Sequence, residues 1–311
     1  MDPRSIASRA PLSDVRVLDL TRLLPGPMAT LVLADLGARV DKLEDPTPGD
    51  YLRAMPPMRG DTSGAFLALN RDKRSVVIDL KKPEGVALLK RILPRYDVIV
   101  EGFRPDVLAR LGCAHDDILA LNPRAVVCAI TGYGQTGPLA KRAGHDINYL
   151  ARAGVLGVTG PADAPPAVSG VQMADIAGGA LWSVIGVLAA LRERDRTGKG
   201  AFVDVSMLES SLTALGWAAS NWLIAGEEPT RNGNDNFTRD QFLQGKIALF
   251  QSGVYNLKNV SDGAKFDWGI APLPAGPKGA VSVVNSIIAA GNAKSKNLDA
   301  TKKVLQWMGS T

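Results

Sequence analysis

The 311-residue sequence has few of the residue types on which common metal and disulfide sites depend. It contains two cysteines, Cys113 and Cys128, without CxxC spacing, and two histidines, His115 and His145. Zinc sites draw mainly on these two residue types, so we expect no bound metal. No apolar run follows the N-terminal arginines, so we expect no secretory leader. The two isolated cysteines predict buried, reduced thiols in a cytoplasmic protein.

Long apolar runs are also absent. A membrane-spanning helix needs about 18 or more uncharged apolar residues, and no stretch reaches that length. Residues 176–191 come closest, and because they include Gly178 and Gly179 we predict a buried helix there. We therefore expect no membrane partner. The sequence also lacks GxGxxG, the P-loop and GxSxG, which argues against dinucleotide binding, P-loop phosphate binding and a serine nucleophile elbow.

The net charge of +5 is unevenly distributed along the chain. Residues 1–234 contain 7 Lys, 20 Arg and 26 acidic residues, whereas residues 235–311 contain 8 Lys, 1 Arg and 5 acidic residues. The two segments carry net charges of +1 and +4, and a sum over unlike segments gives no reason to expect a nucleic-acid partner. The abrupt change from Arg to Lys predicts two segments of different origin that meet near residue 234.

Short apolar runs alternate with helical patterns over the first 210 residues. We predict strands at residues 15–20, 38–43, 75–79, 97–100, 125–130 and 201–205. We predict helices at residues 28–36, 84–93, 174–193 and 207–224. Such alternation favours an α/β fold with a Rossmann-like parallel sheet. Beyond residue 237 we predict helices at 239–243 and 298–308 and strands at 246–250 and 281–290.

Two titratable residues are candidates for chemistry. His145 ends a glycine-rich stretch, TGYGQTGPLAKRAGH, where an imidazole can act as a general base near neutral pH. Asp175 lies at the start of a predicted helix, whose N-terminal amides would stabilise its carboxylate. From the residues alone, a structural histidine and an ordinary N-cap remain open for these positions. His115 is expected to be solvated.

Residues 11–234 resemble the family III CoA-transferases. The matching stretches occur in family order and include VRVLDLTRLLPGP, LADLGARVDKLE, LNRDKRSVVIDLKKPEG, DVIVEGFRPDVLARLG, LNPRAVVCAITGYGQTGP, GHDINY and LAALRERDRTGKGAFVDVSMLES. The resemblance implies an acyl-CoA substrate, no separate cofactor and an interlocked homodimer. It also implies four basic contacts to the phosphates or adenine of CoA: Arg22, Lys73, Arg74 and Arg104.

Within that family, GHDINY is similar to the alpha-methylacyl-CoA racemase branch, because a His precedes the Asp. Asp175 follows His145 by thirty positions, as in racemases. The resemblance implies that these two residues epimerise a 2-methylacyl-CoA through an enolate by proton transfer at the α-carbon. In the transferases the matching Asp is a nucleophile instead, and CoA transfer between carboxylic acids is the alternative function.

Residues 237–311 instead resemble the C-terminal part of type 1 extracellular solute-binding proteins, the sugar-binding class used by ABC importers. The stretches that carry this resemblance are FLQGKIALFQSGVYNL, FDWGIAPLPAGPKG and NAKSKNLDATKKVLQWM. We therefore predict a chimera: a truncated racemase-like domain at 1–234 and an α/β fragment of a periplasmic-binding-protein lobe at 235–311. The Glu that partners His145 in racemases has no match, so we expect little activity. The C-terminal part that completes the family's dimer has no match either, so we expect dimerisation to be impaired. Carbohydrate binding is a third function, which rests on this segment alone.

Overall fold

The protein is described by a computed structural model that covers residues 10–160, 165–225, 239–240, 243–244 and 257–266. The chain divides into two compact units, Met1–Asn232 and Gly233–Thr311. The second unit contains a described helix at Leu257–Gly263. Most of the segment predicted to resemble a solute-binding protein lies outside the described residues. The same holds for the strands predicted at 246–250 and 281–290 and for the helix at 298–308.

The first unit is built on a six-stranded sheet in which every pair of neighbours is parallel. Its strands are β1 (Arg16–Leu20), β2 (Arg39–Glu44), β5 (Arg74–Val77), β6 (Val98–Glu101), β7 (Val126–Thr131) and β8 (Ala201–Ser206). Between β2 and β5 the chain adds a short antiparallel pair, β3 (Met58–Arg59) and β4 (Thr62–Ser63). The order in the large sheet is β5-β2-β1-β6-β7-β8. The predicted α/β fold with a parallel sheet is confirmed.

Helices cover both faces of this sheet. They are α1 (Pro25–Asp35), α2 (Gly64–Asn70), α3 (Pro83–Ile92), α4 (Val107–Arg110), α5 (His115–Leu121), α6 (Asp146–Ala153), α7 (Trp182–Thr197), α8 (Met207–Thr213) and α9 (Gly216–Ser220). Short 3-10 turns span Tyr51–Ala54, Leu93–Arg95 and Val155–Val158, and π-helical turns span Ala174–Leu181 and Asn221–Ala225. The helix predicted at 207–224 is thus divided into three shorter helical elements.

Successive side chains of the central strands enter two separate cores, as the pleat of a strand requires. Val17 and Val100 pack with residues of α1 and α7 on one face. Leu18 and Ile99 pack with residues of α3 and α5 on the other. Strands that are buried on both faces read as continuous Val, Leu and Ile runs, which is why their positions were predictable.

The helical stretch Ala174–Thr197 is long and apolar enough to cross a membrane by length and composition, and half of its most apolar window is buried inside the structure. Its glycines pack closely: a Cβ at Gly178 would lie 3.0 Å from the carbonyl oxygen of Met207, and one at Gly179 would lie 3.0 Å from Cβ of Pro25. One side of the stretch thus packs in the core, whereas Leu181, Trp182, Ile185 and Leu188 are exposed, so the prediction of a buried helix at residues 176–191 holds for one side only.

A buried carboxylate, Asp19, organises the loop that follows β1. It accepts hydrogen bonds from the Thr21 amide (2.9 Å), from the Thr30 hydroxyl (2.7 Å) and from the Lys73 ammonium (3.1 Å). Burial alone would raise the pKa of Asp19. The charges of Lys42 and Lys73 and the two threonine hydroxyls outweigh that effect and lower the pKa to about 2. Asp19 is therefore held as an anion inside the protein.

The same loop is held from its other side by Lys42, which is 2% exposed. Its ammonium donates to the Thr21 carbonyl oxygen at 2.8 Å and lies 3.1 Å from the Asp50 carboxylate. Asp50 in turn accepts the amide of Leu23, whose φ of 68° lies in the left-handed region. The loop between β1 and α1 is thus fixed to β2 and to the 3-10 turn at Tyr51–Ala54.

Replacing Asp19 by Asn should lower the free energy of unfolding by about 3–5 kcal/mol at pH 7, because the buried Lys73 ammonium loses its counter-charge and Lys42 keeps only that of Asp50. The folded-state pKa of Asp19, about 2, lies below its ordinary value of 3.8. Its stabilising effect is therefore complete above pH 4 and is lost as the pH falls through about 2. Urea unfolding at several pH values measures both effects.

The matched control is Asp35→Asn, which removes a carboxylate from an exposed ion pair with Arg71. That change should cost about 1 kcal/mol or less. Equal losses for the two variants at pH 7 would contradict the role assigned to Asp19.

Candidate active site

Asp175 is the second residue of the π-helical turn Ala174–Leu181. Its backbone amide donates a hydrogen bond of 3.0 Å to Oδ1 of Asp146. Burial and, next to it, the negative charge of Asp146 raise the pKa of Asp175 to about 6, while His145 opposes the shift. Since π-helical turns occur frequently at functional sites, a half-buried carboxylate with raised basicity here is a candidate catalytic group.

His145 and Asp146 lie together at the start of α6. His145 is the N-cap residue, is exposed, and donates its backbone amide to Oδ1 of Asn148 at 2.9 Å. Because Asp146 bonds directly to the amide of Asp175, the two residues proposed from the sequence lie in one neighbourhood. Asp146 itself was not identified from the sequence, although its place beside His145 in GHDINY was a usable signal.

Two phenols share this neighbourhood and were also missed. Burial raises the pKa of Tyr149 to about 12, and Asp175 adds to the shift. The pKa of Tyr51 is raised by burial and then by Asp50 and Asp175, while Arg22 lowers it. Both side chains therefore remain neutral hydrogen-bond donors at physiological pH. Tyr149 uses its hydroxyl on the Gly144 carbonyl oxygen at 2.6 Å, which leaves Tyr51 as the phenol to consider for a bound anion.

A cavity of about 200 Å³ opens beyond the carboxyl ends of β1 and β2 and beside the loop after β6. Its walls are largely apolar: Leu20, Leu43, Leu80, Phe103, Val107 and Leu111. Arg22, Asp45 and Lys81 also line it, and the Arg22 guanidinium lies 5.9 Å from the centre of the Phe103 ring. The strand order reverses between β1 and β6, the place where open α/β sheets bind ligands. The apolar walls suit a flat ring, and the charged lining consists of two cations, Arg22 and Lys81, and three carboxylates, Glu44, Asp45 and Asp50.

Arg104 lies one residue beyond Phe103, at a neighbouring cavity of about 100 Å³. Glu101 and His115 line the same cavity. The prediction that His115 is solvated was wrong: its Nε2 lies 3.0 Å from Oε1 of Glu101, and its ring stacks on Phe202 with centroids 4.3 Å apart. Two of the four predicted CoA contacts, Arg22 and Arg104, thus flank adjoining cavities.

The other two predicted CoA contacts, Lys73 and Arg74, form hydrogen bonds with groups of the protein itself. The Lys73 ammonium donates to Asp19 at 3.1 Å, to the Pro27 carbonyl oxygen at 2.8 Å and to Asn70 at 2.9 Å. An ammonium has three donors, so none remains for a phosphate. Burial lowers the pKa of Lys73 to about 8, although Asp19 opposes this shift. Lys73 therefore stabilises the fold through these contacts, and its expected contact with CoA stays a prediction.

Arg74 lies in β5 at the edge of the sheet and pairs with Asp41 of the neighbouring strand, with Nε 2.6 Å from Oδ1. Asp41 also accepts the Tyr96 hydroxyl at 2.9 Å. Arg74 lines neither the cavity beside Arg22 nor the one beside Arg104. Its placement assigns it an ion pair between neighbouring strands, and its expected contact with CoA stays a prediction.

A third and larger cavity, about 400 Å³, is lined mostly by small and apolar residues of α6, α7, α8 and the segments between them. Neither His145 nor Asp175 belongs to its lining. Among the described residues, no group of three or more His, Cys, Asp or Glu side chains is placed to hold a metal ion.

Comparison with known proteins gives a consistent result. Residues 12–256 match the family model of CoA-transferase family III, so the match continues past the boundary predicted at residue 234. The chain is 44% identical over 227 residues to the succinyl-CoA:glutarate CoA-transferase of Mus musculus, which covers 73% of this chain and 52% of that protein. It is 40% identical over 200 residues to the human alpha-methylacyl-CoA racemase, with coverages of 64% and 49%.

Among solved structures, a CAIB/BAIF family protein from Brucella suis superimposes with a TM-score of 0.69 at 33% identity. That alignment covers 81% of this chain and 76% of the Brucella chain. The chain spans about half the length of the curated relatives that it matches. The similarity of fold and sequence extends through the elements that carry Asp175.

Replacing Asp146 by Asn should lower the pKa of Asp175 from about 6 towards 3.8, because the amide oxygen still accepts the Asp175 amide while the negative charge is lost. Replacing His145 by Ala should raise the pKa of Asp175, because the residue that opposes the upward shift is removed. Carbon-13 NMR titration of aspartate carboxyl groups measures both shifts.

The control is Asp106→Asn, which removes an exposed carboxylate paired with Lys141. The pKa of Asp175 should not respond to that change. A pKa that stays near 6 in the Asp146→Asn variant would show that Asp146 has no influence on Asp175.

Proposed function

This chain belongs to CoA-transferase family III, and we propose that it transfers coenzyme A from an acyl-CoA to a free carboxylic acid, with Asp175 as the nucleophile. The observation that carries the proposal is the half-buried Asp175 carboxylate at the start of a π-helical turn, within a region 44% identical to a CoA-transferase. Of the two acyl-CoA functions predicted from the sequence, transfer is thus better supported than racemisation.

The proposed reaction proceeds in four balanced steps. The Asp175 carboxylate attacks the thioester carbonyl of the donor and expels CoA thiolate, which leaves a mixed anhydride. The thiolate then attacks the Asp175 carbonyl, forms an aspartyl-CoA thioester and releases the donor acid as its carboxylate. The acceptor carboxylate attacks this thioester and expels CoA thiolate again. In the last step the thiolate attacks the acceptor carbonyl, which yields the new acyl-CoA and regenerates the Asp175 carboxylate.

The surroundings of Asp175 suit this chemistry. At pH 7 a carboxylate with a pKa of about 6 is mostly ionised, and its raised basicity makes it a better nucleophile than an ordinary Asp. Each carbonyl attack develops an oxyanion that needs hydrogen-bond donors. The Tyr51 phenol, whose pKa is raised in part by Asp175, is a neutral donor available for this role.

Substrate binding follows from the charges of the cavities. We place the adenine ring of CoA in the apolar cavity beside Phe103, with Arg22 and Lys81 facing its phosphates. Arg104 lies at the adjoining cavity and is exposed for a further anionic contact. By analogy with the mouse relative, the proposed acids are short dicarboxylic acids such as succinate and glutarate.

Racemisation is the second candidate, because His145 influences the pKa of Asp175 and the human racemase is 40% identical over 200 residues. It requires two acid–base groups on opposite faces of an α-carbon, and these two residues are of the right types. The predicted fusion to a solute-binding segment stays a prediction, and the family match to residue 256 overlaps its first part.

Incubation with succinyl-CoA and glutarate should produce glutaryl-CoA, and Asp175→Asn should reduce the rate by at least about 10³-fold because the nucleophile is removed. Mass spectrometry of the quenched wild-type protein should find CoA attached to the peptide that contains Asp175. Asp116→Asn, an exposed carboxylate in α5, serves as the control. Full exchange activity in the Asp175→Asn variant would rule out the proposed nucleophile.

The racemase alternative has its own experiment. A single epimer of a 2-methylacyl-CoA is incubated with the protein in D2O, and deuterium at the α-carbon is measured by NMR. If CoA transfer is the function, uptake should equal that of the His145→Ala and Asp175→Asn variants. Uptake that exceeds both variants would favour racemisation.

A further inference from the structure

Glu101 is a buried carboxylate that the proposed chemistry does not use. It is the last residue of β6 and is 2% exposed. One carboxylate oxygen accepts the backbone amide of Phe103 at 2.7 Å, and the other lies 3.0 Å from Nε2 of His115. Because a buried carboxylate is stable only with such partners, both contacts must form for Glu101 to remain in place.

His115 is itself held by a second contact, on the face of its ring. It is the first residue of α5, and its ring stacks on Phe202 of β8 at an interplanar angle of 26°. Since β7 lies between β6 and β8 in the sheet, the imidazole connects two strands that do not pair with each other. This connection fixes the position of the nitrogen that faces Glu101.

The segment anchored by Glu101 carries two residues that face the candidate CoA site. Phe103, whose amide bonds to Glu101, lies under the Arg22 guanidinium at the 200 Å³ cavity. Arg104 follows it and lines the 100 Å³ cavity together with Glu101 and His115. A shift of the Phe103 backbone would therefore move both a cavity wall and a cationic side chain.

We propose that Glu101 and His115 are positioning residues that hold Phe103 and Arg104 in place for coenzyme A. This proposal rests on the proposed function. Neither residue reacts with the substrate: Glu101 fixes the Phe103 amide, and His115 fixes Glu101. The contribution of the pair lies in preorganisation, because a loop that is already ordered loses less entropy on binding.

The experiment compares Glu101→Gln and His115→Ala with the wild-type chain. Both variants should weaken CoA binding about tenfold in calorimetry, because a charge-assisted hydrogen bond is lost. In the exchange assay KM for the CoA thioester should rise by a similar factor while kcat changes little. Hydrogen exchange of the Phe103 amide should be faster in both variants.

Rescue and control variants separate positioning from general stabilisation. His115→Gln keeps an N–H donor towards Glu101, so it should restore most of the affinity and slow the exchange of the Phe103 amide. If circular dichroism shows that His115→Ala does not fold, His115→Gln is used in its place. Asp116→Asn changes the neighbouring exposed carboxylate of α5 and should leave all readouts as in the wild type.

The outcomes for the two proposals are distinct. Absence of CoA binding by the wild-type chain would overturn the proposed function, and the exchange rate of the Phe103 amide would still test the anchor. An unchanged Phe103 exchange rate in Glu101→Gln and His115→Ala would overturn the positioning role. The same conclusion would follow if only the unfolding midpoint changed, while affinity and KM stayed constant.

Discussion

One buried anion between two buried ammonium groups holds the candidate site in place. Asp19 receives hydrogen bonds from residues after β1, from α1 and from Lys73, and Lys42 lies on its other side 4.0 Å away. Since each of these charges would be costly to bury alone, the segments that carry them are stable only together. The loop between β1 and α1 is thereby fixed, and Arg22 is placed at the cavity that we assign to CoA.

The contrast between Asp19 and Asp175 shows how the fold assigns different tasks to one residue type. Both are removed from water, which by itself raises the pKa of a carboxyl group. Two lysines and two hydroxyls reverse that effect at Asp19, whereas Asp146 reinforces it at Asp175. The first carboxylate is permanently ionised and structural. The second is more basic than an ordinary Asp, which is the property that nucleophilic or acid–base chemistry needs.

The fold was predictable to the extent that it depends on local pattern. Strands buried on both faces are short runs of apolar residues, so the parallel sheet could be read from the chain. The short pair β3–β4 carries no such run and was not predicted, and the apolar run of helix α2 is too short to show a helical period. Roles that depend on partners far away in the sequence could not be predicted either. Lys73 bonds to an aspartate 54 positions away and Arg74 to one 33 positions away, so their ion pairs were invisible before the fold was known. Asp146 adjoins His145, but its contact with Asp175 appears only when α6 meets the π-helical turn.

All three hydrogen-bond donors of the Lys73 ammonium are in use, and this limits how the sequence can change during evolution. Its three hydrogen bonds end on β1, α1 and α2, so one side chain depends on three separate segments at once. A guanidinium is larger and planar and cannot direct its donors to the same three points. Arginine is therefore no neutral replacement, and a substitution at any one of these partners is tolerated only with compensating changes at the others. Descendants of this chain would be expected to keep or replace these residues as a group.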